Sequence, residues 1–239
     1  MLVGHGSHLN ANSSEPVWRH ADTIRSRRLF DEVRVGLWKE EPSLSRVLDG
    51  CTADEVFVVP MFISTGYFTK TVVPREMGLT GTTTVRHGQV IRYTPPVGVH
   101  DSLANVIVER AREVGAGPDD AVVVLGHGTR RDSDSEKNVY RMADLVRERS
   151  LFAEVVAVFL DQEPSMLNML DLVRAPRVTV VPLFIADGWH VGQTIPDDLS
   201  LEGVETRRSG RLVRYSGPVG THDSLADVIL ELVEGVPAG

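Results

Sequence analysis

The chain has 239 residues, 42% of them hydrophobic and 24% charged, a balance that belongs to an ordinary folded protein and excludes a disordered chain. Its formal net charge of -8 excludes a nucleic-acid binder, which needs basic surface, and an anionic ligand would have to be held by local arginines and lysines. Cys51 is the only cysteine, which rules out an internal disulfide, a cysteine-ligated zinc and an iron–sulfur cluster within one chain. Any metal must then be held by histidine and carboxylate. No apolar run approaches the roughly 18 residues that a membrane span needs, and MLVGHGS lacks a basic region followed by a long apolar segment, so no membrane association and a cytoplasmic location are expected.

The sequence is written twice. Residues 1–117 laid over residues 123–239 at a constant offset of 122 match at 49 positions without a gap. A period this long means two tandem domains, since solenoid units run to about 20–50 residues. Their seam is GAGPDDA, Gly115 to Ala121. The first strand of the first copy begins at Met1 and is shorter than its counterpart, which leaves room for a start upstream.

The elements recur in the same order in both copies. In the second, DAVVVLGHG reads as a buried strand ending in glycine, and DSDSEKNVYRMADLVRERS as a helix with Val139, Ala143 and Val146 on one face. AEVVAVFL is a second strand, EPSMLNMLDLV a helix with Pro164 near its first turn, and RVTVVPLFI a third strand. A glycine-bearing loop, a shorter helical segment, the strand RLVRYSGPVG and the helix HDSLADVILELV complete the copy. Continuous Val/Ile/Leu runs mean strands covered on both faces, hence parallel sheets. The expected fold is α/β: two tandem flavodoxin-like domains, each a roughly four-stranded parallel sheet in the order 2-1-3-4, flanked by helices.

In such a sheet, ligands bind at the carboxyl ends of strands 1 and 3, where the strand order reverses. His127 follows strand 1 and His190 follows strand 3. Adjacent strands lie about 4.8 Å apart, so the two imidazoles can share one metal ion. In the first copy His5 repeats His127, but Phe68 stands in place of His190.

The ordered set VGHGS or LGHGT, EPS, and VVPLF followed by G-x-H and proline resembles the class II tetrapyrrole chelatases, specifically the CbiX-like sirohydrochlorin cobaltochelatases, over essentially all of both copies. The resemblance implies two chelatase-fold domains facing across a cleft that takes the macrocycle, with His127 and His190 as the active-site pair. Long relatives can carry the complete pair in the first half; this sequence keeps it only in the second. The implied reaction inserts divalent cobalt, with iron or nickel as alternatives, into sirohydrochlorin. The metal is then a substrate and no cofactor is permanently bound. Imidazole suits such ions as a ligand, and its ordinary pKa of about 6.5 lets it accept pyrrole protons. The tandem copies can supply the whole cleft, so a monomer or weak homo-oligomer is expected.

Glu163 or Asp187 can orient an imidazole or relay protons, with Glu163 preferred because Glu41 repeats it while Thr65 replaces Asp187. For the carboxylates of the macrocycle, Arg130, Arg131, Lys70 and Arg75 are the candidate cations, and the Gly128 and Thr129 amides offer an anion site. Phe68 and Trp189 are candidate walls for the ring, and His5 a further contact. His100 and His222, in HDSLA, read as structural, beside the caps of the last helix of each copy; His8, His20 and His87 read as solvated. Pro74 and Pro196 read as fixing the exit of the loop after strand 3. A flavin or nucleotide enzyme on this fold is disfavoured by the lack of a G-x-G-x-x-G or G-x-x-x-x-G-K-[ST] turn. A metal or tetrapyrrole carrier without turnover stays open, because one copy lacks its second histidine.

Overall fold

A computed structural model of the chain describes residues 1–8, 13–128, 133–188 and 190–237; for Ser133 and His190 it describes the backbone and not the side chain. In chain order the strands and α-helices are β1 (Leu2–Gly4), α1 (Glu15–Arg27), β2 (Val35–Leu37), β3 (Glu55–Pro60), α2 (Val73–Met77), β4 (Thr83–Arg86), β5 (Gln89–Tyr93) and α3 (Leu103–Glu113). The second copy gives β6 (Ala121–Gly126), α4 (Ser133–Glu148), β7 (Glu154–Phe159), β8 (Arg177–Pro182), α5 (Ile195–Leu199), β9 (Glu205–Arg208), β10 (Arg211–Tyr215) and α6 (Leu225–Glu234).

Each copy builds one five-stranded sheet, ordered β2-β1-β3-β5-β4 and β7-β6-β8-β10-β9. Four strands of each are parallel in the expected order, and the fifth is an antiparallel edge strand beyond the expected four. It arises from a hairpin whose two-residue turn is His87-Gly88 in one copy and Ser209-Gly210 in the other, all four with positive φ. An x-Gly pair between Thr/Val/Arg runs was the sequence signal for it.

The stretch after EPS forms a six-residue 3₁₀ helix, Met166–Asp171, rather than the expected α-helix. The Glu163-Pro164 bond is cis, and the Glu163 carboxylate and Ser165 hydroxyl accept the Ser165 and Leu167 N–H groups, which closes a tight local turn. Two buried methionines, Met166 and Met169, then join the core with Leu125, Val158, Val180 and Ile195.

The chain divides into two compact units, Met1–His100 with Asp223–Gly239, and Asp101–His222. These are not the boundaries of the repeats at 1–117 and 123–239. In the first unit α6 packs on α1 and β3; in the second, α3 packs on α4 and β8. Both helices bury one apolar stripe, Leu103, Ala104, Ile107 and Ala111 in α3 and Leu225, Ala226, Val228 and Ile229 in α6. His100 Nδ1 lies 3.5 Å from Glu231 of α6, and His222 Nε2 lies 3.2 Å from Glu113 of α3, in keeping with the structural reading of both histidines. The seam is pinned as well: Asp120, 1% exposed, accepts the Gly117 N–H and the Arg177 guanidinium.

His20 departs from its solvated reading. It is fully buried, because it falls on the stripe Val17, His20, Ala21 and Ile24 that α1 turns inward. His8 and His87 are exposed. Where β6 runs six residues, β1 runs three, and a cavity of about 790 Å³ lined by Met1, Arg34, Phe57, Val59 and Ile229 lies beside the amino end of β3 in the first unit. It sits at the opposite end of the strands from the histidine turns.

Candidate functional site

In the second copy the turn after β6 is fixed by its two glycines. A Cβ on Gly126 would stand 2.4 Å from a Val139 methyl of α4, and Gly128 takes φ +77° with Gln162 Cγ 2.7 Å from its missing Cβ. The His127 carbonyl accepts the N–H groups of Leu160 and Asp161, 3.1 and 3.0 Å away, and so ties the turn to the carboxyl end of β7. The imidazole is half-exposed, 48% by side chain. Its Nδ1 lies 3.1 Å from the Gly128 carbonyl and 3.1 Å from Asp161 Oδ2. Both neighbours accept hydrogen bonds, which favours the tautomer with the proton on Nδ1, the arrangement in which a histidine binds a metal through Nε2.

Asp161 is thus the carboxylate beside the turn histidine, a residue the sequence reading passed over. Glu163, preferred there, is exposed and spends its carboxylate on the Ser165 N–H. Glu41 makes the same local bond to Ser43, so the pair Glu41 and Glu163 marks a shared turn. The better signal was register. Gly126 pairs with Phe159 across β6 and β7, so a residue two beyond Phe159 lies beside the turn. Asp187, the other candidate, sits in the loop after β8, its Oδ1 3.3 Å from where a Gly192 Cβ would be.

That loop ends in a π-helical turn, His190–Thr194, continued by α5. Such turns are rare and gather at functional sites. Hydrogen bonds among the described residues hold it. The Tyr215 hydroxyl donates to the Val191 carbonyl at 2.9 Å, and the Gly220 N–H donates to the Phe184 carbonyl at 2.9 Å. Gly220 has to be glycine, since a Cβ there would fall 2.0 Å from the Ile185 carbonyl oxygen. His190 is the first residue of the turn; its ring lies outside the described residues, and with it the convergence on His127. Thr129, Arg130, Arg131 and Trp189 also lie outside them.

In the first copy the side chain that heads the corresponding turn is described. Its π-helical turn is Phe68–Val72, held by Tyr93 donating to the Thr69 carbonyl at 2.8 Å. The Phe68 ring centroid lies 4.7 Å from that of His5, edge to face, and Trp38 completes a triangle of rings, 5.1 Å from His5 and 5.0 Å from Phe68. His5 Nδ1 is 2.7 Å from the Gly6 carbonyl, matching His127. Lys39, at the position of Asp161, lays its ammonium 3.7 Å from the Trp38 ring centroid. Glu40, at the position of Gln162, accepts the Ser7 N–H at 2.5 Å and the Ser14 hydroxyl at 2.8 Å. Of the expected cations, Arg75 is paired with Glu76 at 2.6 Å, and Lys70 is exposed. Among the described residues no three His, Cys, Asp or Glu side chains converge as a metal site.

The sequence model of the CbiX family matches residues 1–114 and again 121–236. The chain belongs to the CbiX family. It is 44% identical to the probable sirohydrochlorin cobaltochelatase of Halobacterium salinarum, over 100% of this chain and 92% of that one. It is 27% identical to the sirohydrochlorin ferrochelatase of Bacillus subtilis over 67% of this chain and 62% of that protein. Among solved structures, DR2241 of Deinococcus radiodurans, described as a multi-domain protein similar to chelatases with two additional novel domains, superposes with TM-score 0.85 at 32% identity. This CbiX-family chain is covered to 97% and spans 53% of DR2241. The cobalt complex of SirB from Bacillus subtilis subspecies spizizenii shares the fold, with TM-score 0.74 over 98% of this chain and 92% of that one at 19% identity.

Proposed function

We propose that this protein inserts a divalent metal, cobalt first, into sirohydrochlorin, and that the centre lies in the second copy on His127 and His190. The observation that carries the reading is the His127 turn, where a half-exposed imidazole at the carboxyl end of β6 has Nδ1 beside the Gly128 carbonyl and the Asp161 carboxylate. Family membership supplies the reaction. Support for His190 as the second ligand comes from the first copy, where the residue heading the same π-helical turn packs against the turn histidine.

The chemistry follows from those groups. Divalent cobalt, a substrate here, exchanges water for neutral imidazole, a ligand with the right softness and no charge of its own to trap the ion. Asp161 holds the His127 ring and offsets part of the charge the metal brings. Insertion releases two protons from the macrocycle as the metal–nitrogen bonds form, and imidazole nitrogens freed of metal, or Asp161, take them up. No group permanently bound to the protein takes part, and one chain carries both copies. Among the described residues no helix is long and apolar enough to cross a membrane.

Absorbance of metal-free sirohydrochlorin mixed with cobalt tests the proposal. An enzyme converts many equivalents; a carrier stops at one. Parallel runs with ferrous iron and nickel rank the metals.

A further inference from the structure

The two copies keep the same turn histidine but reverse the charge beside it. Asp161 Oδ2 stands 3.1 Å from His127 Nδ1, whereas the corresponding Lys39 extends over Trp38. The surroundings differ in the same sense. His5 is exposed and touches Trp38 and Phe68, Phe68 stacks on Phe62 at 5.9 Å, and Tyr67, 64% exposed, meets Phe68 edge-on. The groups differ from those of the second copy: a phenyl ring replaces the second imidazole, Lys39 brings an ammonium where Asp161 brings a carboxylate, and the Glu40 carboxylate accepts from Ser7 and Ser14.

We propose that this charge reversal sorts the two substrates, the first copy's turn being a carboxylate and ring anchor for the macrocycle, with Lys39 as its cation, and the second copy's turn the metal port. The inference rests on the chelatase reading and adds to it a binding residue and a division of labour between copies. An ammonium resting on an indole face is partly desolvated on one side and keeps its other N–H bonds for an acceptor. Trp38 thereby holds the charge beside the ring-binding surface of Phe68 and Tyr67, where a flat polycarboxylate ligand presents a face and an acid together. A carboxylate on Lys39 gains a charge-assisted hydrogen bond, while a divalent ion at the same place meets repulsion.

The test is a pair of titrations on the full chain: metal-free uroporphyrin, a stable polycarboxylate macrocycle, followed by its Soret band, and divalent cobalt followed calorimetrically. Lys39→Met is expected to weaken uroporphyrin about tenfold, the loss of one such bond, and to leave cobalt affinity within about twofold. Lys39→Arg, which keeps the charge and the stacking, restores uroporphyrin binding. Asp161→Asn gives the mirror result, weaker cobalt and unchanged uroporphyrin. Unchanged uroporphyrin affinity in Lys39→Met, with the unmodified protein binding it well, overturns the inference and leaves the chelatase reading standing. An unmodified protein that binds cobalt but no polycarboxylate macrocycle overturns both.

Discussion

The Tyr215 hydroxyl donates to the carbonyl of Val191 at 2.9 Å, one residue past His190, and Tyr93 does the same for Thr69, one residue past Phe68. One clamp therefore serves a histidine and the other a phenylalanine. Tyr215→Phe should cost about 1 kcal/mol of stability through the lost hydrogen bond. It should also slow cobalt insertion about tenfold, because the turn carrying His190 is no longer held in place. Tyr93→Phe should cost similar stability with little change in rate. Denaturant melts and steady-state rates on both variants check the pair.

Burial pushes the phenols of both tyrosines up, with the charge of Asp187 adding to the rise at Tyr215. The folded chain then keeps protons that the unfolded chain releases above pH about 10. This stabilisation is whole below that pH and is lost as pH climbs from there toward the folded values. Denaturant melts at pH about 8 and about 10.5 should show a steeper loss in the parent protein than in Tyr215→Phe.

His127→Ala and His190→Ala should each cut turnover by a hundredfold or more, on the order of removing a direct metal ligand, whereas His5→Ala should cost only a few-fold. Initial rates at saturating macrocycle decide this. Equal, small effects of all three would move the centre away from the second copy.

Asp161 and Glu163 separate two readings of the same loop. Asp161→Asn, which keeps shape and removes the charge beside Nδ1, should lower the rate about 10- to 100-fold, in the range of lost second-layer partners of metal ligands. Glu163→Gln should stay within about threefold, since that carboxylate serves the Ser165 N–H. The informative readout is the rate against cobalt concentration, where only Asp161→Asn shifts the half-saturating value.

Gly220→Ala forces a methyl to within 2.0 Å of the Ile185 carbonyl oxygen, in a backbone that cannot give way without moving the His190 loop. A loss of about 3 kcal/mol or more is expected, as for other overpacked sites. Gly98→Ala meets the same obstacle at Ile63 and should cost the same. Thermal melts of the two variants check it.

Much of this was legible in the sequence because the repeat doubles every signal. The buried runs of β6 and β8 and the GHG turn after β6 gave the sheet order and put histidine at its switch point. What escaped was decided by local competition or by distant packing. The hairpins at His87 and Ser209 hide in polar residues; EPS closes a turn through Glu163 and Ser165 where helical spacing suggests an α-helix. His20 is polar in type but sits on an inward stripe. The pairing of α3 with the second unit and α6 with the first leaves no mark in a gapless alignment of the copies, since both helices are amphipathic and interchangeable in pattern. Asp161 was missed because repetition selects what the copies share, and at this position they differ, Lys39 standing where the second copy has Asp161.

The most direct test of the central claim is X-ray absorption at the cobalt edge, on the protein loaded with one equivalent of divalent cobalt, compared with His190→Ala. Scattering from two imidazoles in the parent protein and one in the variant is the predicted result. A parent spectrum with a single imidazole, or one that His190→Ala leaves unchanged, would contradict it.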